Sequence, residues 1–176
     1  VKASYKVTRH LGHGTCQAGS YQTGTAYRCS TPEAAANVLD PCWPLASPST
    51  MVCQAKPWDH QVVELAVTGS AAGGPGFHSV ALPWGLRVGA GVRCLRDVGS
   101  VLRINGHSLL YHCTRHRDVF GPLRDSGARW AAHLYRTDAH TRSGYASLGF
   151  RHVVIAWRGA EASSAPTSSP TPTPVI

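Results

Sequence analysis

The clearest alternation of hydrophobic and polar residues lies between Ser100 and Cys113. Two runs with a period of two flank Asn105-Gly106, the dipeptide that is most favoured in a two-residue type I′ turn. With Ile104 opposite His107, the alternation places five apolar residues on the core face of a hairpin: Leu102, Ile104, Leu109, Tyr111 and Cys113. Cys94, on the preceding segment, then lies within reach of Cys113 in a three-stranded sheet.

Other short runs of apolar residues predict further strands, at residues 5–9, 50–54, 61–68, 129–136 and 152–158. Only residues 32–39 have a helical pattern, with Thr31 as N-cap, Pro32 in the first turn and Asp40-Pro41 as the stop. The sequence therefore predicts a mainly β fold. We expect a small, disulfide-stapled, two-lobed antiparallel β domain with one short helix.

Changes in composition predict four parts of the chain. A Gly-rich connector at 69–77 separates an N-terminal lobe, 1–68, from a C-terminal lobe, 78–159. Residues 160–176 are rich in Ser, Thr and Pro and predict a disordered tail, of the kind that leads to an anchor or another module. The longest apolar run, Val153–Trp157, has the length of a strand, so no membrane-spanning helix is predicted.

The six cysteines are even in number, and none forms a Cys-x-x-Cys motif. Six cysteines allow many connectivities, of which we favour sequential pairing: Cys16 with Cys29, Cys42 with Cys53 and Cys94 with Cys113. Structural disulfides predict a secreted or extracytoplasmic protein. The chain starts with Val1-Lys2-Ala3-Ser4-Tyr5 and shows no signal peptide. This start fits a removed leader, a fragment of a longer chain or an alternative start codon.

The positive charge is concentrated in the second half of the chain. The net charge is +8, and residues 81–159 carry twelve Arg against four Asp. Such a field favours encounters with polyanions, although the excess of Arg over Lys is also typical of GC-rich codon usage. The candidate binding residues are Arg103, Arg115, Arg117, Trp130 and Arg136. Secretion argues against a nucleic-acid partner.

The sequence contains no recognisable catalytic signature. Asp59-His60 and Asp138-Ala139-His140 leave a Ser/His/Asp arrangement open, but there is no Gly-x-Ser-x-Gly elbow. His112 and His116 are four apart in a predicted strand, where they would lie about 13 Å from each other. No metal site and no cofactor are therefore predicted.

Short motifs around the cysteines resemble a group of secreted actinobacterial proteins of unknown function. The motifs are Gly14-Thr15-Cys16, Tyr27-Arg28-Cys29 and Asp40-Pro41-Cys42 in the first half, with Pro83-Trp84 and Tyr111-His112-Cys113 in the second. Trp43 stands where Phe is common in that group. The resemblance implies an extracellular location and a disulfide framework, and it brings no known activity.

These observations favour a non-enzymatic extracytoplasmic binding or interaction domain at the cell envelope. Its partner would be an anionic polymer, a glycan or a protein, and the membrane would be reached only through a tether beyond the tail. A secreted cell-wall hydrolase that uses His and Asp residues of the loops is one alternative. The ectodomain of a larger membrane-anchored sensor is another.

Overall fold

The computed structural model describes residues 5–23, 26–34, 38–45, 47, 49–69, 82–89, 91–98, 100–125, 130–157 and 174–175. Fourteen strands lie within them: β1 (Lys6–Ala18), β2 (Tyr27–Ser30), β3 (Val38–Pro44), β4 (Thr50–Cys53), β5 (Gln61–Val67), β6 (Gly85–Val88), β7 (Val92–Arg96), β8 (Arg103–Ile104), β9 (His107–Cys113), β10 (Arg117–Phe120), β11 (Arg124–Asp125), β12 (Trp130–Thr137), β13 (Tyr145–Trp157) and β14 (Pro174–Val175). They form two compact units, with β1–β5 in the first and β6–β14 in the second.

The predicted boundaries between the four parts of the chain stay a prediction. Residues 70–77 of the predicted connector lie outside the described residues. The same holds for the predicted tail, apart from Pro174–Val175. Among the residues that the structure describes, no helix has the length and apolar content needed to cross a bilayer.

The first unit is a closed barrel in which β1–β5 pair in chain order. Strand β1 pairs with β2 in the antiparallel direction and with β5 in the parallel direction, which closes the barrel. Gly14 lies where β1 meets β5, and a Cβ atom there would be 2.5 Å from Leu65 Cδ2. A larger residue at this position would displace the Leu65 side chain, which is fully buried in a packed interior. The interior contains Leu11, Cys16, Tyr27, Cys29, Cys42, Met51, Cys53, Leu65 and Val67.

The second unit also contains a closed ring of strands. Strand β12 pairs with β10 on one side and with β13 on the other, and the path β10-β9-β7-β6-β13 returns to it. Alternate residues of these strands point inward, as the period of two requires. The interior of this ring contains Leu86, Val88, Val92, Cys94, Tyr111, Val119, Ala132, Leu134 and Ala156.

The three predicted disulfides are confirmed: Cys16–Cys29, Cys42–Cys53 and Cys94–Cys113. Each joins residues at directly opposite positions on neighbouring antiparallel strands. The cysteines are therefore part of the sheet register as well as of the core. No free cysteine is present among the described residues.

The hairpin predicted around Asn105-Gly106 is confirmed, with Ile104 paired to His107. Asn105 and Gly106 both have positive φ values, 50° and 80°, as a type I′ turn requires. Ile104, Leu109 and Tyr111 are buried as predicted. Leu102 was also predicted on the core face, but 38% of it is exposed. The reason is that strand pairing begins only at the next residue, Arg103.

The predicted mainly β fold is confirmed, and the short helix is wrong. Thr31 forms a turn, in which its carbonyl oxygen accepts a hydrogen bond from the Ala34 N–H at 3.4 Å. Strand β3 then begins at Val38, and Leu39 pairs with Cys29 of β2. Residues 35–37 lie outside the described residues. Pairing with β2 outweighs the weak local preference for a helix, because tertiary context routinely overrides propensity.

Candidate functional site

Three hairpin turns lie at the same end of the second barrel. They connect β6 to β7, β9 to β10 and β12 to β13, and all the strand pairs around the ring are antiparallel. The chain direction therefore alternates from each strand of the ring to the next. As a result, each of these turns lies at the end where β9 and β12 finish. We call this the hairpin end.

Two pairs of arginines lie directly opposite each other near the hairpin end. Arg117 of β10 is paired with Arg136 of β12, and Arg87 of β6 is paired with Arg93 of β7. Like charges at directly opposite positions destabilise a sheet by roughly 0.2–1 kcal/mol per pair. Repulsion of this kind is unfavourable for folding and favourable for binding a shared anion.

The turn between β9 and β10 adds further positive charge at an energetic cost. Arg115 and His116 both adopt left-handed backbone conformations, with φ of 65° and 53°. Glycine and asparagine adopt this conformation most easily, and other residues pay about 1 kcal/mol or more for it. The hairpin of β8 and β9 in the same unit uses Asn105 and Gly106 at such positions. The chain thus places two basic residues at positions where glycine or asparagine would cost less free energy.

We define the basic rim as the six arginines at the hairpin end: Arg87, Arg93, Arg115, Arg117, Arg136 and Arg142. Four of them are exposed, while Arg87 and Arg117 are half-buried. Among the described residues, Asp118 and Asp138 are acidic residues near these arginines, and Asp118 is buried. Asp138 pairs with one of them. It lies 3.4 Å from the Arg136 guanidinium, and its carboxylate also accepts a hydrogen bond from the His140 N–H at 3.0 Å. The rim therefore keeps a clear excess of positive charge.

The structure brings three of the five predicted binding residues together in the basic rim: Arg115, Arg117 and Arg136. The other two lie outside the rim, Arg103 on β8 opposite Ser108 of β9 and Trp130 at the start of β12. Trp130 packs against the barrel interior. Sequence reasoning missed Arg87 and Arg93, which only the sheet register places opposite each other, and Arg142 in the turn between β12 and β13.

A second cluster on the outer face surrounds His112. Its Nδ1 atom lies 2.9 Å from Asp118 Oδ1, and its Nε2 atom lies 3.2 Å from Asp97 Oδ1. Asp118 is buried and also faces Tyr145. Burial raises the pKa of Tyr145 above its ordinary value, and the charge of Asp118 and a hydrogen bond to its carboxylate raise this pKa further. His112 thus links two carboxylates on different segments.

A third cluster is centred on His133, on the outer face of β12. Its Nε2 atom lies 2.8 Å from Ser147 Oγ, and its Nδ1 atom lies 3.3 Å from the Tyr135 hydroxyl. The ring stacks on Phe150 at 4.5 Å between centroids, and the Arg124 guanidinium lies over Phe150 at 4.0 Å. Burial lowers the pKa of His133 below its ordinary value, and Arg124 and His107 lower this pKa further.

These contacts bear on the hydrolase alternative. In the His133 cluster, the group at Nδ1 is a phenol rather than the carboxylate of a Ser/His/Asp triad. In the predicted Asp138-Ala139-His140 segment, the carboxylate bonds to the backbone of His140 and fixes the turn. The hydrogen bond to the His140 N–H gives Asp138 a structural role in this turn.

The sulfurs of Cys29, Cys42 and Cys53 lie within 4.8 Å of one another in the first barrel. All three belong to disulfides, and a disulfide sulfur is not the thiolate that binds a metal. The cluster is therefore two disulfides packed together in the core.

Three disulfides in a chain of this size are typical of a protein that folds in an oxidising, extracellular-type environment. No protein-family model, no curated protein and no solved structure matches the chain.

Proposed function

We propose that this chain is a non-enzymatic extracytoplasmic binding domain whose basic rim binds an anionic polymer of the cell envelope. The observation that carries the proposal is that two pairs of arginines occupy directly opposite positions on neighbouring strands of one barrel, Arg117 with Arg136 and Arg87 with Arg93. A repeating anion offers charges to several guanidinium groups at once. Membership in the secreted actinobacterial group that the cysteine motifs resemble remains part of this proposal.

The energetic cost of the rim supports a role in binding. Opposed arginines and left-handed Arg115 and His116 each lower stability, and chains retain such features mainly where function needs them. Codon usage accounts for many arginines, but it does not account for the placement of two arginine pairs at directly opposite positions. An anionic partner would relieve the repulsion between opposed guanidinium groups.

The proposal can be tested with long-chain polyphosphate as the polymer. Replacing both Arg117 and Arg136 with glutamine is expected to lower the association constant by about tenfold or more. The logarithm of the association constant falls as the logarithm of salt concentration rises. By analogy with nucleic-acid phosphates, this negative slope should become shallower by about two in the variant. Fluorescence titration with labelled polyphosphate over a series of salt concentrations measures both quantities.

The matched control replaces Lys6 and Lys56 of the first unit, both exposed, with glutamine. This control changes the net charge equally and leaves the rim intact, so binding should stay within about twofold of wild type. An equal loss in both variants, or wild-type binding that does not respond to salt, would contradict the proposal. Neutral dextran should not compete.

The turn between β9 and β10 gives a second prediction. Replacing Arg115 with asparagine and His116 with glycine is expected to raise the free energy of unfolding by about 1 kcal/mol, because asparagine and glycine adopt positive φ at lower cost. The same variant should bind polyphosphate several-fold more weakly. Arg115→Gln, which removes the charge and keeps the backbone cost, should weaken binding without adding stability. A stabilised variant with full affinity would show that the turn takes no part in binding.

A further inference from the structure

The loop between β7 and β8 exposes three aliphatic side chains. Val98 is 40% exposed, Val101 is 92% exposed and Leu102 is 38% exposed. We call these three residues the apolar loop. Single exposed apolar residues are common and need no explanation, but here three of them lie close together on one short loop. Val101 in particular stands clear of the protein surface.

Hydrogen bonds hold the apolar loop in place. The Ser100 N–H donates to Asp97 Oδ2 at 3.1 Å, and the Leu102 N–H donates to Ser100 Oγ at 3.1 Å. The carbonyl oxygen of Leu102 accepts from the Leu109 N–H at 2.9 Å. Asp97 itself is fixed by His112, 3.2 Å away. The apolar side chains are therefore presented to solvent by a braced backbone.

The apolar loop lies away from the basic rim. Strand β7 starts at the hairpin end and runs away from it, so the loop that follows β7 falls at the other end of the barrel. A ligand of the rim therefore does not cover the apolar loop. The two surfaces need separate partners or separate parts of one partner.

The size of the loop and its charge indicate the kind of partner. A stable protein–protein interface buries about 800 Å² on each partner, which is more than three aliphatic side chains on a loop supply. A bilayer surface needs less, because a few apolar side chains enter the boundary between headgroups and acyl chains while neighbouring cations contact anionic lipids. Arg103 follows Leu102 directly and is exposed.

We propose that the apolar loop inserts into the surface of a bilayer that contains anionic lipids, with Arg103 at the level of the headgroups. From the sequence, contact with a membrane was predicted only through a tether beyond the tail. The loop gives the folded domain its own contact with the membrane, while the rim at the other end remains open to a polymer.

The test is sedimentation with vesicles of phosphatidylcholine in which about a third of the lipid is replaced by phosphatidylglycerol. Wild-type protein should bind these vesicles, and Val101→Asp should lower the partition coefficient by about tenfold or more. Val101→Trp should raise it, because tryptophan favours the bilayer interface. Arg103→Gln should weaken binding to the anionic vesicles several-fold.

Val154→Asp is the matched control, since Val154 is 38% exposed on β13, outside the loop. It should bind vesicles as the wild type does. Equal binding by Val101→Asp and Val154→Asp, or no vesicle binding by the wild type, would overturn the inference. A third outcome would also overturn it: the Arg117→Gln, Arg136→Gln variant loses vesicle binding while Val101→Asp keeps it. The rim would then be the contact with the membrane. Val101→Asp should still bind polyphosphate, which separates this inference from the proposed function.

Discussion

Replacing both Cys94 and Cys113 with alanine is expected to lower the free energy of unfolding of the second barrel by about 3 kcal/mol. The bond spans 19 residues and joins β7 to β9 at directly opposite positions. Its loss frees the unfolded chain and also leaves space in the interior, where Cys94 is fully buried. A loss of this size is a large part of the stability of an ordinary small domain.

Native-state hydrogen exchange measures this effect strand by strand. Amides of β7 and β9 should exchange faster by about two orders of magnitude, since 1.4 kcal/mol corresponds to a factor of ten. The matched variant, Cys16→Ala with Cys29→Ala, should instead act on β1 and β2. Six reactive thiols in denatured, unreduced wild-type protein would contradict both the disulfides and the oxidising environment.

Leu134→Ala is expected to destabilise the second barrel by about 3 kcal/mol, within a range of roughly 2–5 kcal/mol for such changes. Leu134 is almost fully buried, and it lies between Val119 of β10 and Gly149 of β13 at the point where the ring closes. The alanine leaves a cavity between the strands that closure holds together. Opening of the ring there would expose the edges of β10 and β13.

Denaturant unfolding followed by circular dichroism measures the change. Val154→Ala is the control, because this valine of the same barrel is partly exposed and its replacement should cost about 0.5 kcal/mol or less. A cost at Leu134 no larger than at Val154 would mean that the ring is not closed by packing at this position.

Much of the local structure could be predicted because it depends on neighbouring residues. Asn105-Gly106 determined both the turn and the register of its hairpin. That register placed Cys113 on the core face, within reach of Cys94 on the preceding segment, and the two are paired. The helix over residues 32–39 was wrong for the converse reason. Strand β3, which begins at Val38 within this segment, depends on pairing with β2. A short window of sequence around residues 32–39 does not contain that partner strand.

The candidate site could be predicted only in part. The excess of arginine in the second half is visible in the sequence, and Arg115 and Arg117 lie together because they share one turn. Arg136 joins them through the pairing of β10 with β12, and Arg87 meets Arg93 across another pair of strands. These registers come from closure of the ring, so the opposed charges become evident only in three dimensions.

The contacts of His112 show the same division. Alternation along the strand places this residue on the face opposite the core, but Asp97 and Asp118 reach it from the loop after β7 and from β10. Sequence spacing placed His116 in one strand with His112, but β9 ends at Cys113 and His116 lies in the turn before β10. Sequence spacing could not reveal the two carboxylates.

The disulfides have a consequence for the integrity of the chain after proteolysis. All three lie within one unit or the other, with Cys53 the last cysteine of the first and Cys94 the first of the second. A single peptide-bond cleavage between these two residues would leave no covalent link between the halves. Each fragment would retain its own disulfides, so separating the two halves covalently would require one cleavage and no reductant.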